Sequence, residues 1–103
     1  MSFVKIATLD QLPDNSVCVF EFEGEQIAVF RSGERFYATA NICTHAYAEL
    51  HEGFFDPEEC SIECPLHGAR FSVETGAVLC LPAYQPLQTY PVRVEGDALL
   101  IDI

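Results

Sequence analysis

Three features of the sequence predict an all-β protein. Short runs rich in β-branched and aromatic residues fill both ends of the chain. Glycine turns join them at Glu23-Gly24-Glu25, Ser32-Gly33-Glu34 and Glu95-Gly96-Asp97. No segment carries a sustained helical period. In order, residues 3–7 (FVKIA) alternate apolar and polar, as an edge strand does, and Leu12-Pro13-Asp14-Asn15 signals a turn. Residues 16–22 (SVCVFEF), 26–31 (QIAVFR) and 35–39 (RFYAT) then predict a three-stranded meander. Near the other end, 89–94 (TYPVRV) and 98–102 (ALLID) predict a second hairpin, so both ends read as one antiparallel structure. Residues 41–88 differ, holding four of the five cysteines, all three histidines and four of the six prolines. They are expected to form loops and short strands inserted into the scaffold, with room for one helical turn at 46–49. No repeat or linker is visible, and one domain is expected over residues 1–103, with an inserted subdomain at about 41–83.

The chain has 103 residues, 50% of them apolar, enough for a modest core and too many for a disordered chain. Sixteen Asp and Glu against five Lys and Arg give a formal charge of −11. That balance disfavours nucleic acid and anionic membranes, both of which need Lys and Arg, and favours a basic docking partner. Residues 1–14 show no basic stretch followed by an apolar one, and nothing reaches the length of a membrane span. The cytoplasm is the expected location, and a monomer the expected state. An odd number of cysteines in a reducing compartment points to metal ligation or inert thiols rather than disulfides.

Two patterns carry chemistry: Cys43-Thr44-His45 and Cys64-Pro65-Leu66-His67. Each sets a thiolate donor beside an imidazole at short spacing, and 18 residues separate His45 from Cys64. Two such pairs suit one tetrahedral zinc ion that only helps the domain fold. They suit equally a [2Fe–2S] cluster with two cysteines on one iron and two histidines on the other. Spacing leaves the two open.

The run Cys64-Pro65-Leu66-His67-Gly68, preceded by Cys43-Thr44-His45, resembles the paired cluster loops of Rieske proteins, in order and in rough separation. The flanking meander and hairpin extend the likeness over nearly the whole chain. The stretch Leu81-Pro82-Ala83 falls where that family carries a proline loop over the cluster. The resemblance implies a Rieske-type antiparallel β-sandwich with a small cluster-binding subdomain. It implies one [2Fe–2S] cluster held by Cys43 and Cys64 on the inner iron and by His45 and His67 on the outer. A [2Fe–2S]²⁺ core with two thiolates is formally neutral, so one added electron gives a charge of only −1. Such sites titrate at about −150 to +300 mV, above four-cysteine clusters. Respiratory members place a serine and a tyrosine where this chain has Ala69 and Phe71, and disulfide cysteines where it has Ala48 and Leu66. Without those donors the low end of the range is expected. The chain is thus similar to the ferredoxins of bacterial aromatic ring-hydroxylating oxygenase systems. The expected partners are an NAD(P)H-dependent flavoprotein ferredoxin reductase and a terminal ring-hydroxylating oxygenase. It is not expected to be the oxygenase: with two histidines on the cluster only His51 remains, too few for a second iron. No glycine-rich dinucleotide fingerprint is present.

Docking for such a carrier calls for a small apolar patch with a charged rim. Ala46, Tyr47, Leu66 and Pro82 are candidates for the patch, and Glu49, Glu52 and Glu74 for the rim. Cys18 and Cys80 read as buried, inert thiols, Cys60 as a competing ligand of last resort, and His51 as a surface residue or a proton-linked neighbour of the site. Residues 56–59 (DPEE) read as an acidic turn, and Gly68 and Gly76 as turn glycines.

Overall fold

The computed structural model describes residues 3–44, 48–66, 68–81 and 85–103. Its described strands are β1 (Phe3–Thr8), β2 (Ser16–Phe22), β3 (Glu25–Ser32), β4 (Arg35–Ala40), β5 (Phe54–Asp56), β6 (Ser61–Glu63), β7 (Arg70–Ser72), β8 (Val78–Cys80), β9 (Thr89–Tyr90), β10 (Val92–Glu95) and β11 (Ala98–Asp102). They form three antiparallel sheets, ordered β1-β11-β10, β2-β3-β4-β9 and β5-β6-β7-β8. The described helical structure is limited to single 3-10 turns at Leu9–Gln11 and Leu50–Glu52. Among the described residues no helix is long and apolar enough to cross a membrane.

Strand β3 explains the layering. Ile27, Ala28, Val29 and Phe30 are all buried, so this strand is covered on both faces. That is why its sequence reads as a continuous apolar run rather than an alternation. Ile27 and Val29 join Leu12, Ala38, Tyr90, Leu99 and Ile101 in one core, against the β1-β11-β10 sheet. Ala28 and Phe30 join Leu50, Ile62, Phe71 and Val73 in a second core, against the β5–β8 sheet. The rings of Phe30 and Phe55 meet in that second core with centroids 5.1 Å apart. The β2–β3–β4–β9 sheet is therefore the middle of three layers; the first motif follows β4 of this sheet, and the second lies between β6 and β7 of the third.

The predicted meander and edge strand form as expected. The predicted strand at 89–94 does not run through: Thr89 and Tyr90 pair with β4, whereas Val92–Glu95 pairs with β11. Pro91, which has no N–H to donate, stands at the corner where the chain changes sheet, and its carbonyl accepts from the Asp102 amide at 3.0 Å. The helical turn allowed for at 46–49 falls in part outside the described residues, which omit 46 and 47. Glu49 is extended, and the 3-10 turn begins at Leu50.

Candidate functional site

Cys43 and Cys64 occupy equivalent places in two loops built alike. In the first, Ile42 bridges Glu49, and the Cys43 amide donates to the Ala48 carbonyl at 2.9 Å. In the second, β6 and β7 pair through Glu63 and Arg70, and the Cys64 amide donates to the Ala69 carbonyl at 2.7 Å. Each cysteine thus stands on the last rung of a short ladder, five residues before the alanine that closes it. The two segments read CTHAYA and CPLHGA, an equivalence that only the hydrogen bonding reveals. Gly68, at φ +77°, takes the left-handed turn that returns the second loop, and its amide donates to the Cys64 carbonyl at 3.3 Å.

Both cysteines are nearly inaccessible, Cys43 at 4% and Cys64 at 1% exposure, and both belong to the core that contains Leu50, Ile62, Ala69 and Phe71. His45 and His67, the other two expected ligands, lie outside the described residues, as do Ala46, Tyr47, Pro82 and Ala83. Among the described residues no three His, Cys, Asp or Glu side chains gather as a metal site. What the structure does bring together is the thiolate half of the set, on two loops in one core. A pair of buried sulfurs in a water-poor wall fits an iron–sulfur group, whose inner iron takes only thiolates.

The remaining candidates separate clearly. Cys60 lies at the start of β6 and Cys64 beyond its end, about 13 Å apart along an extended strand, so the two cannot share a metal. The Cys60 thiol turns instead to the Pro57 carbonyl. Cys18 is half-buried against the first core, whereas Cys80 is exposed on β8, contrary to the expected burial. Asp56 Oδ1 accepts from the Glu58 and Glu59 amides and so closes the expected acidic turn. At Gly76, φ +81°, any Cβ would overlap the Leu87 carbonyl oxygen, so this turn requires glycine.

Around the loop ends, Leu66 is 56% exposed and forms a shallow groove with Ala48, Glu49, Glu52 and Pro65. Leu81, 64% exposed, adds apolar surface on the segment after β8. Thr44 ties the first loop to that segment by donating its hydroxyl to the Gln85 carbonyl at 2.8 Å. Glu74 is a correction: it sits in the β7–β8 turn, at the end of β7 away from Cys64, near Phe36 and Tyr37 of β4. It cannot serve a rim around the loops. His51 is also more than a surface residue: its Nδ1 lies 3.1 Å from the buried Asn41 amide nitrogen and 3.7 Å from Glu49. Sequence reasoning missed Asn41, for which the only available signal was a polar residue directly after an apolar strand.

Comparison with known proteins agrees with this construction. The Rieske [2Fe-2S] domain family matches residues 2–91. The ferredoxin component of a naphthalene 1,2-dioxygenase system from Pseudomonas aeruginosa is 40% identical, covering 98% of this chain and 95% of that one. The structure of the ferredoxin of carbazole 1,9a-dioxygenase from Nocardioides aromaticivorans IC177 superposes with a TM-score of 0.92 at 42% identity, covering 98% and 97% of the two chains. A chain in a complex of reduced oxygenase and oxidized ferredoxin of a carbazole 1,9a-dioxygenase matches with a TM-score of 0.88 at 33% identity, covering 96% and 91%.

Proposed function

The chain belongs to the Rieske [2Fe–2S] family, as a ferredoxin component that transfers electrons within aromatic dioxygenase systems, and from that premise we propose which of its residues do the work. Family membership brings one [2Fe–2S] cluster, which displaces the zinc alternative. The catalysis of such systems belongs to other components.

Cys43 and Cys64 hold the inner iron through thiolates, and His45 and His67 hold the outer iron through imidazoles. The observation that supports this most is the matched pair of ladders, which delivers each cysteine from the same backbone geometry into one core. When bound, the cluster supplies a one-electron redox couple. The protein's own part is to hold the ligands and keep water from the sulfurs. Ala69, Phe71, Ile62 and Leu50 wall the thiolates, all with no measurable exposure. Ala69 and Phe71 offer no hydrogen-bond donor in their side chains, so nothing from these two positions stabilises the more negative reduced state. This places the potential at the low end of the Rieske range.

Residues 1–103 act as one domain and monomer in the cytoplasm, receiving electrons from an NAD(P)H-dependent flavoprotein reductase and passing them to a terminal ring-hydroxylating oxygenase. Leu66 and Leu81 give the apolar contact at the loop ends, and Glu49 and Glu52 give it a negative edge. With a chain charge of −11, the matching partner faces are basic. An absorption spectrum of fresh protein, with EPR after dithionite reduction, tests the ligand set. The expected result is a red-brown protein whose reduced average g lies below that of a four-cysteine cluster. A colourless protein with one zinc would overturn it.

A further inference from the structure

The two ligand loops stand on unequal supports. The second continues from a hairpin with three paired positions between β6 and β7. The first has a single isolated bridge, Ile42 to Glu49, beneath its last rung. Directly below that bridge lies Asn41, with 0% exposure. Its main chain extends the β3–β4 ladder, its amide donating to the Gln26 carbonyl at 3.2 Å, while its own carbonyl accepts from the Leu50 amide at 2.7 Å.

The side chain repeats the same junction. Asn41 Oδ1 accepts from the His51 backbone amide at 3.0 Å, and Nδ2 donates to Gln26 Oε1 at 3.0 Å. A backbone N–H can only donate, so the orientation of the Asn41 amide is settled. Its second amide hydrogen points to His51 Nδ1 at 3.1 Å. Every polar atom of Asn41 is occupied, and the partners come from β3 on one side and from the returning end of the loop on the other. Only a short side chain with both a donor and an acceptor meets these demands at a position closed to solvent.

We infer that Asn41 is the positioning residue of the first ligand loop, doing with its side chain what a strand pair does for the second. It fixes the separation between the outgoing Cys43 strand and the returning 48–51 segment, with Gln26 and His51 as its two anchors. The inference rests on the reading of Cys43 as a cluster ligand.

The holoprotein with Asn41→Ala, Gln26→Met, Gln26→Glu and Leu99→Ala tests it. Leu99→Ala is the structural reference, since Leu99 lies in the other core. Removing the buried hydrogen bonds of Asn41 is expected to speed cluster loss about tenfold. It also strips hydrogen-exchange protection from the His51 amide and changes the reduced EPR line shape. Gln26→Glu keeps the acceptor for Nδ2 and stays close to wild type, whereas Gln26→Met follows Asn41→Ala in part. Leu99→Ala lowers the unfolding midpoint with the wild-type EPR spectrum. The inference is overturned if Asn41→Ala behaves like Leu99→Ala, less stable but spectroscopically unchanged. Should Asn41→Ala not fold, equal cluster lifetimes and EPR spectra for the two Gln26 variants overturn it. A wild-type protein lacking the mixed-ligand spectrum removes the ligand reading instead, and the positioning role with it.

Discussion

Gly53 is where the two ligand loops touch, and Gly53→Ala is the sharpest test of how they are held together. The residue ends the 3-10 turn that returns the first loop, its amide donating to the Leu50 carbonyl at 2.9 Å. One residue later Phe54 pairs with Glu63, so Gly53 stands across from Cys64. Its φ of −88° is open to any residue, so backbone conformation does not demand glycine here. Space does: a Cβ would overlap the Glu63 carbonyl oxygen, with the Leu50 carbonyl oxygen at 3.2 Å on the other side. Relief requires the segment before Cys64 to shift by about 1 Å, in a core that tolerates such overpacking at about 2 to 3 kcal/mol. The expected variant folds with a lower urea midpoint, bleaches faster and shows a changed reduced EPR spectrum, because the shift falls on a ligand. Gly33→Ala is the control. Its φ of +63° penalises alanine by about 1 kcal/mol, but nothing lies within 4 Å of the new Cβ, and the turn is remote from the ligands. It should lose stability with an unaltered spectrum. A Gly53→Ala protein with wild-type midpoint and spectrum would refute the close-approach argument.

Phe71→Tyr, if its hydroxyl reaches a ligating sulfur, adds one charge-assisted hydrogen bond of about 1.5 kcal/mol and raises the potential by about 60 mV, measured by spectroelectrochemistry; an unchanged or lower potential would undo the account of the low value. Electron transfer to the partner oxygenase should slow as ionic strength rises, and Glu49→Gln with Glu52→Gln should flatten that dependence in stopped-flow measurements; a rate already flat in the native protein counts against acidic docking. Tyr90 donates its hydroxyl to Glu25 at 3.3 Å, and burial first, then the Glu25 charge, hold its pKa above the ordinary value. The folded protein then keeps a proton that the unfolded chain releases, so this contribution is complete below about pH 10 and is lost as pH climbs through the raised value. Tyr90→Phe should weaken the protein by about 1 kcal/mol at neutral pH and flatten the alkaline decline seen in denaturation midpoints.

Much of this was legible because local chemistry and final fold agree. The glycine turns and β-branched runs specify β2, β3, β4 and β11 almost to the residue, since hairpins are set by neighbours in sequence. The cysteine–histidine pairs were legible because ligand chemistry restricts which residues can stand there. Pro91 was read through as part of a strand because a proline at a sheet corner and one at an edge look alike in sequence. The exposure of Cys80 and the distance of Glu74 from Cys64 depend on which way the β7–β8 hairpin faces, which no local pattern encodes. Asn41 was hidden for a stronger reason: its role exists only because Gln26 and His51, distant in sequence, arrive on either side of it.

Strand β3 couples these levels. Its Ile27 and Val29 belong to the core that stabilises the sandwich, while Ala28 and Phe30 form the floor beneath the cysteine loops. Gln26, one residue before this run, anchors Asn41. A substitution facing the sandwich can therefore lower stability and leave the ligands undisturbed. One on the opposite face, a single residue away, moves the floor on which Cys43 and Cys64 rest. The two-residue period of a strand thus separates mutations that act on folding from those that act on the redox site.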